Sequence, residues 1–301
     1  MEDSGKHWLP RPLPSAEEVK KIAMEIVVVK GAGFCFGVRR AIDIAFAMAE
    51  KKQEGIYTFG PLIHNPQVIE KLREKGIAPT EDLHGSEIRA LIIRTHGIPL
   101  DLMEEASAEG YELVDATCPF VTKAQHYAKL LSDDGYQVII LGDRDHPEVR
   151  GLVSYAGEDA LVIDGSEELP ALKSRVGVVV QTTQPVTRLK SLMGRVIEQS
   201  REMKVYNTIC NSTALRLKET EEIAGEVGVM LVVGGKNSAN TTQLAHLCAS
   251  RPVRTYHIET ADELKPEWFH GVNKVGITAG ASTPDWIIRE VKERIKDTGG
   301  E

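Results

Sequence analysis

The sequence is poor in cysteine and lacks the close cysteine pairs that zinc sites usually use. Only four of its 301 residues are cysteine, and no two of them are spaced as C-x2-C. Zinc sites in proteins usually draw their ligands from such pairs. Unpaired thiols in a long chain indicate reduced cysteines and therefore predict a cytoplasmic protein.

Three further absences exclude whole classes of protein. No apolar run approaches the roughly 20 residues that span a bilayer, so no membrane segment is expected. The first 20 residues have no apolar core and predict no signal peptide. The net charge of −8 gives no excess of Lys and Arg, which proteins cluster to neutralise nucleic-acid phosphates. We therefore expect neither a membrane nor a nucleic acid as a partner.

What is present is typical of a globular protein larger than one ordinary domain. Hydrophobic residues make up 42% of the chain and charged residues 27%, which are values of folded soluble domains. A chain of this length can bury a large core. Residues 1–22 are polar and rich in proline, and we predict that they form a flexible N-terminal tail.

After the tail, short buried-strand patterns alternate with amphipathic helix patterns. This alternation predicts an α/β protein with parallel sheets and right-handed crossovers. Strands are expected near residues 25–29, 56–59, 90–95, 111–114, 137–142, 160–163, 176–181, 204–206, 229–233, 254–258 and 274–278. Helices are expected near residues 38–51, 66–75, 100–109, 121–134, 186–200, 213–226, 240–250 and 284–296.

Three of the cysteines occur in matching contexts. Cys35, Cys118 and Cys210 each follow a β-prone run and precede a helix-like stretch, and they lie 83 and 92 residues apart. The repeat predicts three similar α/β domains, placed at residues 23–117, 118–208 and 209–301. Three converging thiols can hold an iron–sulfur cluster and leave one iron open for a substrate. A disulfide between two of these cysteines would leave the third thiol unpaired. The fourth cysteine, Cys248, is interpreted as a small core side chain.

Polar side chains follow the predicted strands, where parallel sheets bind their ligands. Each of them alone is also typical of a solvated or helix-capping residue, and only their shared position favours a site. The residues at these strand ends are His64, His96, His146, Glu148, Thr182, Thr183 and Ser282.

The segment 234–241, GGKNSANT, is the most specific of these strand ends. Glycines let a backbone approach a ligand closely, and the following helix turns free N–H groups toward it. Ser238 and Asn240 add side-chain donors. The segment therefore suits a phosphate or diphosphate, with a tight turn followed by a helix cap as the alternative.

Together these segments resemble the LytB, or IspH, family of 4-hydroxy-3-methylbut-2-enyl diphosphate reductases. The resemblance covers residues 24–295, nearly all of the chain beyond the tail. No one of the motifs is specific by itself, but the whole set in this order is. The segments that carry the resemblance are 32–38, 63–66, 96–97, 115–119, 146–149, 181–183, 210–211, 236–240 and 279–282.

The resemblance implies three α/β domains in a pseudo-threefold trefoil around a central 4Fe–4S cluster. Cys35, Cys118 and Cys210 would hold one cluster per chain and leave its fourth iron open. The implied reaction removes the hydroxyl of (E)-4-hydroxy-3-methylbut-2-enyl diphosphate, an allylic diphosphate. It gives isopentenyl diphosphate and dimethylallyl diphosphate, as the last step of the non-mevalonate (MEP/DOXP) isoprenoid pathway. The implied electron donor is ferredoxin or flavodoxin with its reductase, and we expect a cytoplasmic monomer.

The resemblance also implies a role for each site residue. Glu148 would relay a proton so that water leaves, and Thr182 would connect the substrate hydroxyl to Glu148. Imidazoles beside the diphosphate would favour the charged donor form. Many family members carry Ser where this chain has Ala239, so only a backbone N–H is expected there. The diphosphate would be held by His64, His96, His146, Ser238, Ala239, Asn240 and Ser282.

Two other functions stay open at this point. A lyase resembling quinolinate synthase also combines three α/β domains, three cysteines and an open iron. It would lack the His, Ser and Asn side chains that suit a diphosphate. A non-enzymatic sensor that binds a cluster would need no Glu148–Thr182 pair beside the iron.

Overall fold

The computed structural model describes residues 24–51, 54–85, 87–165 and 168–298. The predicted tail, residues 1–22, lies outside the described residues. No helix in the described ranges is both long enough and apolar enough to cross a membrane. The strands are β1 (Glu25–Val28), β2 (Ile56–Phe59), β3 (Ile77–Thr80), β4 (Ala90–Ile93), β5 (Glu112–Asp115), β6 (Gln137–Leu141), β7 (Leu161–Ile163), β8 (Arg175–Val180), β9 (Glu202–Val205), β10 (Val229–Val233), β11 (Arg254–Ile258) and β12 (Lys274–Ala279).

The α-helices lie between these strands and supply the crossovers. The helices are α1 (Phe36–Glu50), α2 (Pro66–Glu74), α3 (Leu100–Ala108), α4 (Pro119–Asp133), α5 (Pro147–Ala156), α6 (Val186–Ile197), α7 (Asn211–Ala224), α8 (Ala239–Ala249) and α9 (Asp285–Thr298). Two short 3-10 helices, Ala261–Glu263 and Pro266–Phe269, precede β12.

The described strands form three parallel sheets of four strands each, which confirms the predicted α/β class. The strand orders are β3-β2-β4-β5, β7-β6-β8-β9 and β11-β10-β12-β1. Written in this direction, all three sheets have the same order, so one unit of supersecondary structure occurs three times. The central strands β4 and β10 are apolar at every position, because helices cover both faces of a parallel sheet.

Strand β1 belongs to the third sheet and not to the first. It pairs in parallel with β12, from Glu25 opposite Lys274 to Val28 opposite Ile277. The predicted first domain, residues 23–117, therefore includes a strand that pairs in the third sheet. Periodicity identifies Glu25–Val28 as a strand, but it carries no information about a partner at the other end of the chain. The strands of the other two sheets lie within the predicted ranges 23–117 and 118–208.

The three cysteines lie where the chain passes from one sheet to the next. Cys35 follows β1 of the third sheet and is the N-cap of α1, whose buried face packs in one core cluster with β2 and β4 of the first sheet. Cys118 follows β5 and is the N-cap of α4, which packs on the second sheet. Cys210 follows β9 and is the N-cap of α7, which packs against β12 of the third sheet. Each thiol thus stands at a junction of two sheets.

Candidate active site

The three predicted cysteines converge. Cys35, Cys118 and Cys210 are free thiols and line one cavity. A side chain at Gly37 would place its Cβ only 2.4 Å from the sulfur of Cys118, so only glycine fits in the first turn of α1 at this point. Burial, together with the neighbouring Cys35 and Cys210, raises the pKa of Cys118 to about 11. A metal centre that binds the thiolate would offset that cost.

The chemistry of these thiols fits an iron–sulfur cluster, whose usual protein ligand is cysteine sulfur. Among the described residues, no group of three His, Cys, Asp or Glu side chains is close enough to hold a single metal ion. Cys35, Cys118 and Cys210 nevertheless line one cavity. The first turns of α1, α4 and α7 contain no acidic residue, so the positive ends of three helix dipoles favour anionic sulfur there.

All twelve residues predicted for the site line the same cavity. The sequence patterns missed several further lining residues. Thr95 precedes His96, and Ser212 and Thr213 follow Cys210 in the first turn of α7, so closeness in sequence is the signal that could have found them. The predicted residues are Cys35, His64, His96, Cys118, His146, Glu148, Thr182, Cys210, Ser238, Ala239, Asn240 and Ser282.

Three imidazoles lie together in the cavity, with ring centroids of His64 and His96 4.9 Å apart and those of His96 and His146 5.3 Å apart. His64 directly precedes Asn65, whose side chain caps α2, and Nδ1 of His146 accepts a hydrogen bond from the backbone N–H of Glu148. Burial is the main cause that lowers the pKa of each ring, well below its ordinary value for His96 and to about 4 for His146. The charged form expected beside a diphosphate would thus have to be stabilised by the anion.

A buried carboxyl group lies in the same cavity. Glu148 is 1% exposed and accepts hydrogen bonds from the backbone N–H of Thr182 at 2.6 Å and from its hydroxyl at 2.8 Å. Burial raises the pKa of Glu148 to about 7, although both hydrogen bonds from Thr182 act to lower it. A carboxyl group with a pKa near 7 can both hold and give up a proton at neutral pH.

Two loops of the third sheet complete the cavity. The side chain of Ser238 caps α8 by accepting a hydrogen bond from the N–H of Thr241, so the helix cap considered from the sequence is present. Ser238 and Asn240 are nevertheless in the cavity lining, with Ala239 between them. Ser282 donates its hydroxyl hydrogen to the backbone carbonyl oxygen of His64 at 3.3 Å, which joins the loop after β12 to the backbone at His64.

Comparison with known proteins matches this chain to the LytB protein family over residues 26–296. The chain belongs to the LytB family. A LytB relative from Geobacter sulfurreducens is 51% identical over 277 residues, which cover 91% of this chain and 98% of the relative. One from Pelobacter propionicus is 50% identical over 274 residues, covering 90% and 98%. Both carry the name 4-hydroxy-3-methylbut-2-enyl diphosphate reductase.

Two solved structures resemble this LytB protein over most of its length. A structure of (E)-4-hydroxy-3-methyl-but-2-enyl diphosphate reductase, described as the terminal enzyme of the non-mevalonate pathway, is 42% identical with a TM-score of 0.71. The match covers 91% of this chain and 99% of that one. The E-1-hydroxy-2-methyl-but-2-enyl-4-diphosphate reductase from Plasmodium falciparum is 26% identical with a TM-score of 0.80, covering 90% and 87%.

Proposed function

We propose that this LytB protein reduces (E)-4-hydroxy-3-methylbut-2-enyl diphosphate to isopentenyl diphosphate and dimethylallyl diphosphate, the last step of the non-mevalonate pathway. The observation that carries the proposal is one cavity that three cysteines, a buried glutamate and a group of His, Ser and Asn side chains all line. The names of the relatives agree with it. No observation favours the quinolinate synthase-like lyase or the sensor.

The cysteines would hold the cofactor. Family membership implies an iron–sulfur enzyme, and Cys35, Cys118 and Cys210 would bind a 4Fe–4S cluster whose fourth iron stays open. When bound, such a cluster supplies electrons and a Lewis-acidic iron. The dipoles of α1, α4 and α7 support this assignment, since their positive ends favour an anionic metal centre.

The reaction breaks one C–O bond and consumes two electrons and two protons, so that the hydroxyl leaves as water. Glu148 is suited to give a proton to the departing oxygen, because its pKa of about 7 leaves the carboxyl group protonated in a large fraction of molecules at neutral pH. Thr182, which donates its hydroxyl hydrogen to Glu148, would hydrogen-bond the substrate hydroxyl and connect it to that proton. The electrons come from outside the chain, and we propose ferredoxin or flavodoxin with its reductase as the donor, and a monomer in the cytoplasm.

The diphosphate would lie between the imidazoles and the two loops of the third sheet. The start of α8 directs free N–H groups and a positive dipole end toward an anion, and Ala239 would contribute its backbone N–H there. The side chains that would bind the diphosphate are His64, His96, His146, Ser238, Asn240 and Ser282.

The test is turnover by protein purified without oxygen, with the hydroxylated diphosphate and a chemical reductant. The protein should contain about four irons and four sulfides per chain, as a cubane requires, and should form both products. Cys35→Ser, Cys118→Ser and Cys210→Ser should lose the cluster or nearly all activity. Cys248→Ser is the matched control and should keep both, because Cys248 is 0% exposed in a separate core cluster. A cluster-containing parent protein that forms neither product would overturn the proposal.

A further inference from the structure

Arg216 is a buried cation in a position where an apolar residue is expected. It is 2% exposed and belongs to the buried stripe of α7, with Thr213, Thr220 and Ala224 at helical spacing. A buried charge costs several kcal/mol unless other groups compensate it. The groups around Arg216 must therefore compensate the free-energy cost of burying its charge.

The guanidinium group of Arg216 holds two elements of the active site. It donates from Nε to the carbonyl oxygen of Gly31 at 2.6 Å and from Nη2 to that of Gly33 at 2.9 Å. These carbonyls belong to the loop that leads to Cys35. Its third bond, from Nη1, goes to Oδ1 of Asn240 at 3.4 Å. One side chain thus contacts both the cysteine loop and a predicted diphosphate ligand.

The acceptors in these three bonds are all neutral. Burial lowers the pKa of Arg216, and the groups that oppose this effect are, in order, Cys35, Cys210 and Glu219. Arginine nevertheless stays protonated in proteins. The groups that favour this charge are thus the thiols of Cys35 and Cys210, which would bind the cluster, and Glu219, which accepts a hydrogen bond from the backbone N–H of Gly31 at 2.9 Å.

The bond to Asn240 also fixes the orientation of its amide. Oδ1 of Asn240 accepts from Arg216 and from the backbone N–H of Ala281 at 3.1 Å. Two donors on the same atom identify it as the oxygen. The NH₂ group, which has two donors, is then the part of the side chain left for a ligand in the cavity.

We propose that Arg216 is a positioning residue that couples the two halves of the active site. It orients the Asn240 amide to donate to the diphosphate. Its charge, which lies at the carbonyl oxygen of Gly33 two residues before Cys35, favours the reduced form of the cluster that Cys35 would help to hold. The inference rests on the proposed function, because it presupposes a cluster and a diphosphate in this cavity.

The test uses cluster-loaded protein and two readouts other than turnover. The first is the midpoint potential of the cluster, followed by electron paramagnetic resonance. The second is the dissociation constant for inorganic diphosphate, measured by calorimetry. Arg216→Gln removes the charge and the fork of donors, whereas Arg216→Lys keeps the charge and loses the fork. Lys218→Gln is the matched control, because it removes an exposed charge from the same helix.

Arg216→Gln should shift the potential to more negative values and weaken diphosphate binding roughly tenfold, the loss expected for one charge-assisted bond. Arg216→Lys should keep a potential near that of the parent and still weaken diphosphate binding. Lys218→Gln should match the parent in both readouts. In the Asn240→Ala background, Arg216→Lys should add little further loss, because both changes then remove the same contact.

Parental affinity in Arg216→Lys, or fully additive losses with Asn240→Ala, would overturn the positioning role. A parental potential in Arg216→Gln would overturn the role of the charge. If the Arg216→Gln protein does not hold a cluster, the Arg216→Lys protein provides the test. Weaker diphosphate binding with an unchanged midpoint potential in Arg216→Lys supports the proposal, and unchanged diphosphate binding overturns it. A different result would contradict the proposed function: a parent protein that holds no cluster or does not bind diphosphate.

Discussion

Burial sets the protonation of the ionisable side chains in the cavity. It raises the pKa of Glu148 to about 7 and lowers that of His146 to about 4. Both shifts disfavour the charged form, since the charge loses its hydration. A carboxyl group that holds a proton and an imidazole that can take one up therefore lie two residues apart in the chain, at the start of α5.

The role of Glu148 predicts a specific loss. Glu148→Gln keeps the shape of the side chain and can still accept from Thr182, but it cannot supply a proton. The variant should keep its cluster and bind substrate, while kcat falls by a factor on the order of 100 or more. Single-turnover kinetics with pre-reduced protein would measure this. Glu70→Gln, an exposed change on α2, should leave kcat unchanged, and near-parental turnover in Glu148→Gln would remove this residue from proton transfer.

The lowered pKa values of the imidazoles predict that diphosphate binding takes up protons. His146 is neutral at pH 7, because its pKa of about 4 lies far below. A bound anion raises that pKa, so the affinity should increase as the pH falls from 8 to 6. Calorimetry in buffers of different ionisation enthalpy would count the protons. His146→Gln should take up fewer, and equal uptake in both proteins would contradict the assignment.

Sequence patterns identify the site residues better than the interactions that hold them. Cys35, Glu148 and Asn240 occur in motifs next to strand ends and could be predicted. Arg216 could not, because a basic side chain in a helix is usually solvent-exposed. Only the course of the chain between distant sheets places its guanidinium against the carbonyls of Gly31 and Gly33.

At the scale of elements, most α-helices and strands were predicted, and the one strand and one α-helix that were missed have local causes. Strand β3 contains Pro79 and lies at the edge of the first sheet, and proline weakens a strand pattern. Helix α5 includes Gly151, which lowers helix propensity. Its first turn nevertheless carries Glu148, so the missed helix is the element that positions the proposed proton donor.

Trp286 joins three elements around the cavity. Nζ of Lys71 in α2 lies 3.6 Å from the centre of its ring, and the ring of Phe34 meets it edge-on at 6.3 Å. Helix α2 follows His64, Phe34 precedes Cys35, and Trp286 itself lies in α9. This contact therefore connects α2, which packs on the first sheet, with α9, which packs on the third sheet.

The same contact predicts a stability effect. Trp286→Ala should lower the free energy of unfolding by about 2–4 kcal/mol, since it removes a large partly buried ring and a cation–π contact. Denaturant unfolding of the variant and the parent would measure the difference. Leu215→Ala, at an exposed residue, should change the free energy by less than about 0.5 kcal/mol. A loss no larger than in this control would show that Trp286 does not hold the sheets together.

At the scale of the whole molecule, β1 closes a ring of three sheets. All three sheets have the same strand order. In each, the fourth strand is followed by a cysteine that is the N-cap of the first helix packed on the next sheet. Because β1 completes the third sheet, that sheet is built from both ends of the described chain. The threefold repeat could be predicted from the cysteine spacing, but this closure could not, since the pairing of distant strands leaves no local pattern.

Closure by β1 predicts a sharp limit for truncation. A protein that begins at Met24 keeps β1 and should fold, bind the cluster and turn over substrate, because the residues before it show no core-like periodicity. A protein that begins at Lys30 loses the four pairs between β1 and β12 and should be insoluble or lack the cluster. Soluble yield and iron content of the two proteins would decide. A fully active protein that begins at Lys30 would contradict the structural role of β1.

The pairing of β1 with β12 also bears on how the chain matures during synthesis. The ribosome has to add about 250 residues after Glu25 before it reaches Lys274, which takes on the order of ten to fifty seconds at typical rates of synthesis. Until β12 has been synthesised, β1 has no partner strand, and its exposed apolar residues can associate with other chains. Nascent chains halted before residue 274 should therefore be cleaved by protease at β1 while the first two sheets are already protected. We expect the protein to bind iron only after the complete chain has left the ribosome and β1 has paired with β12.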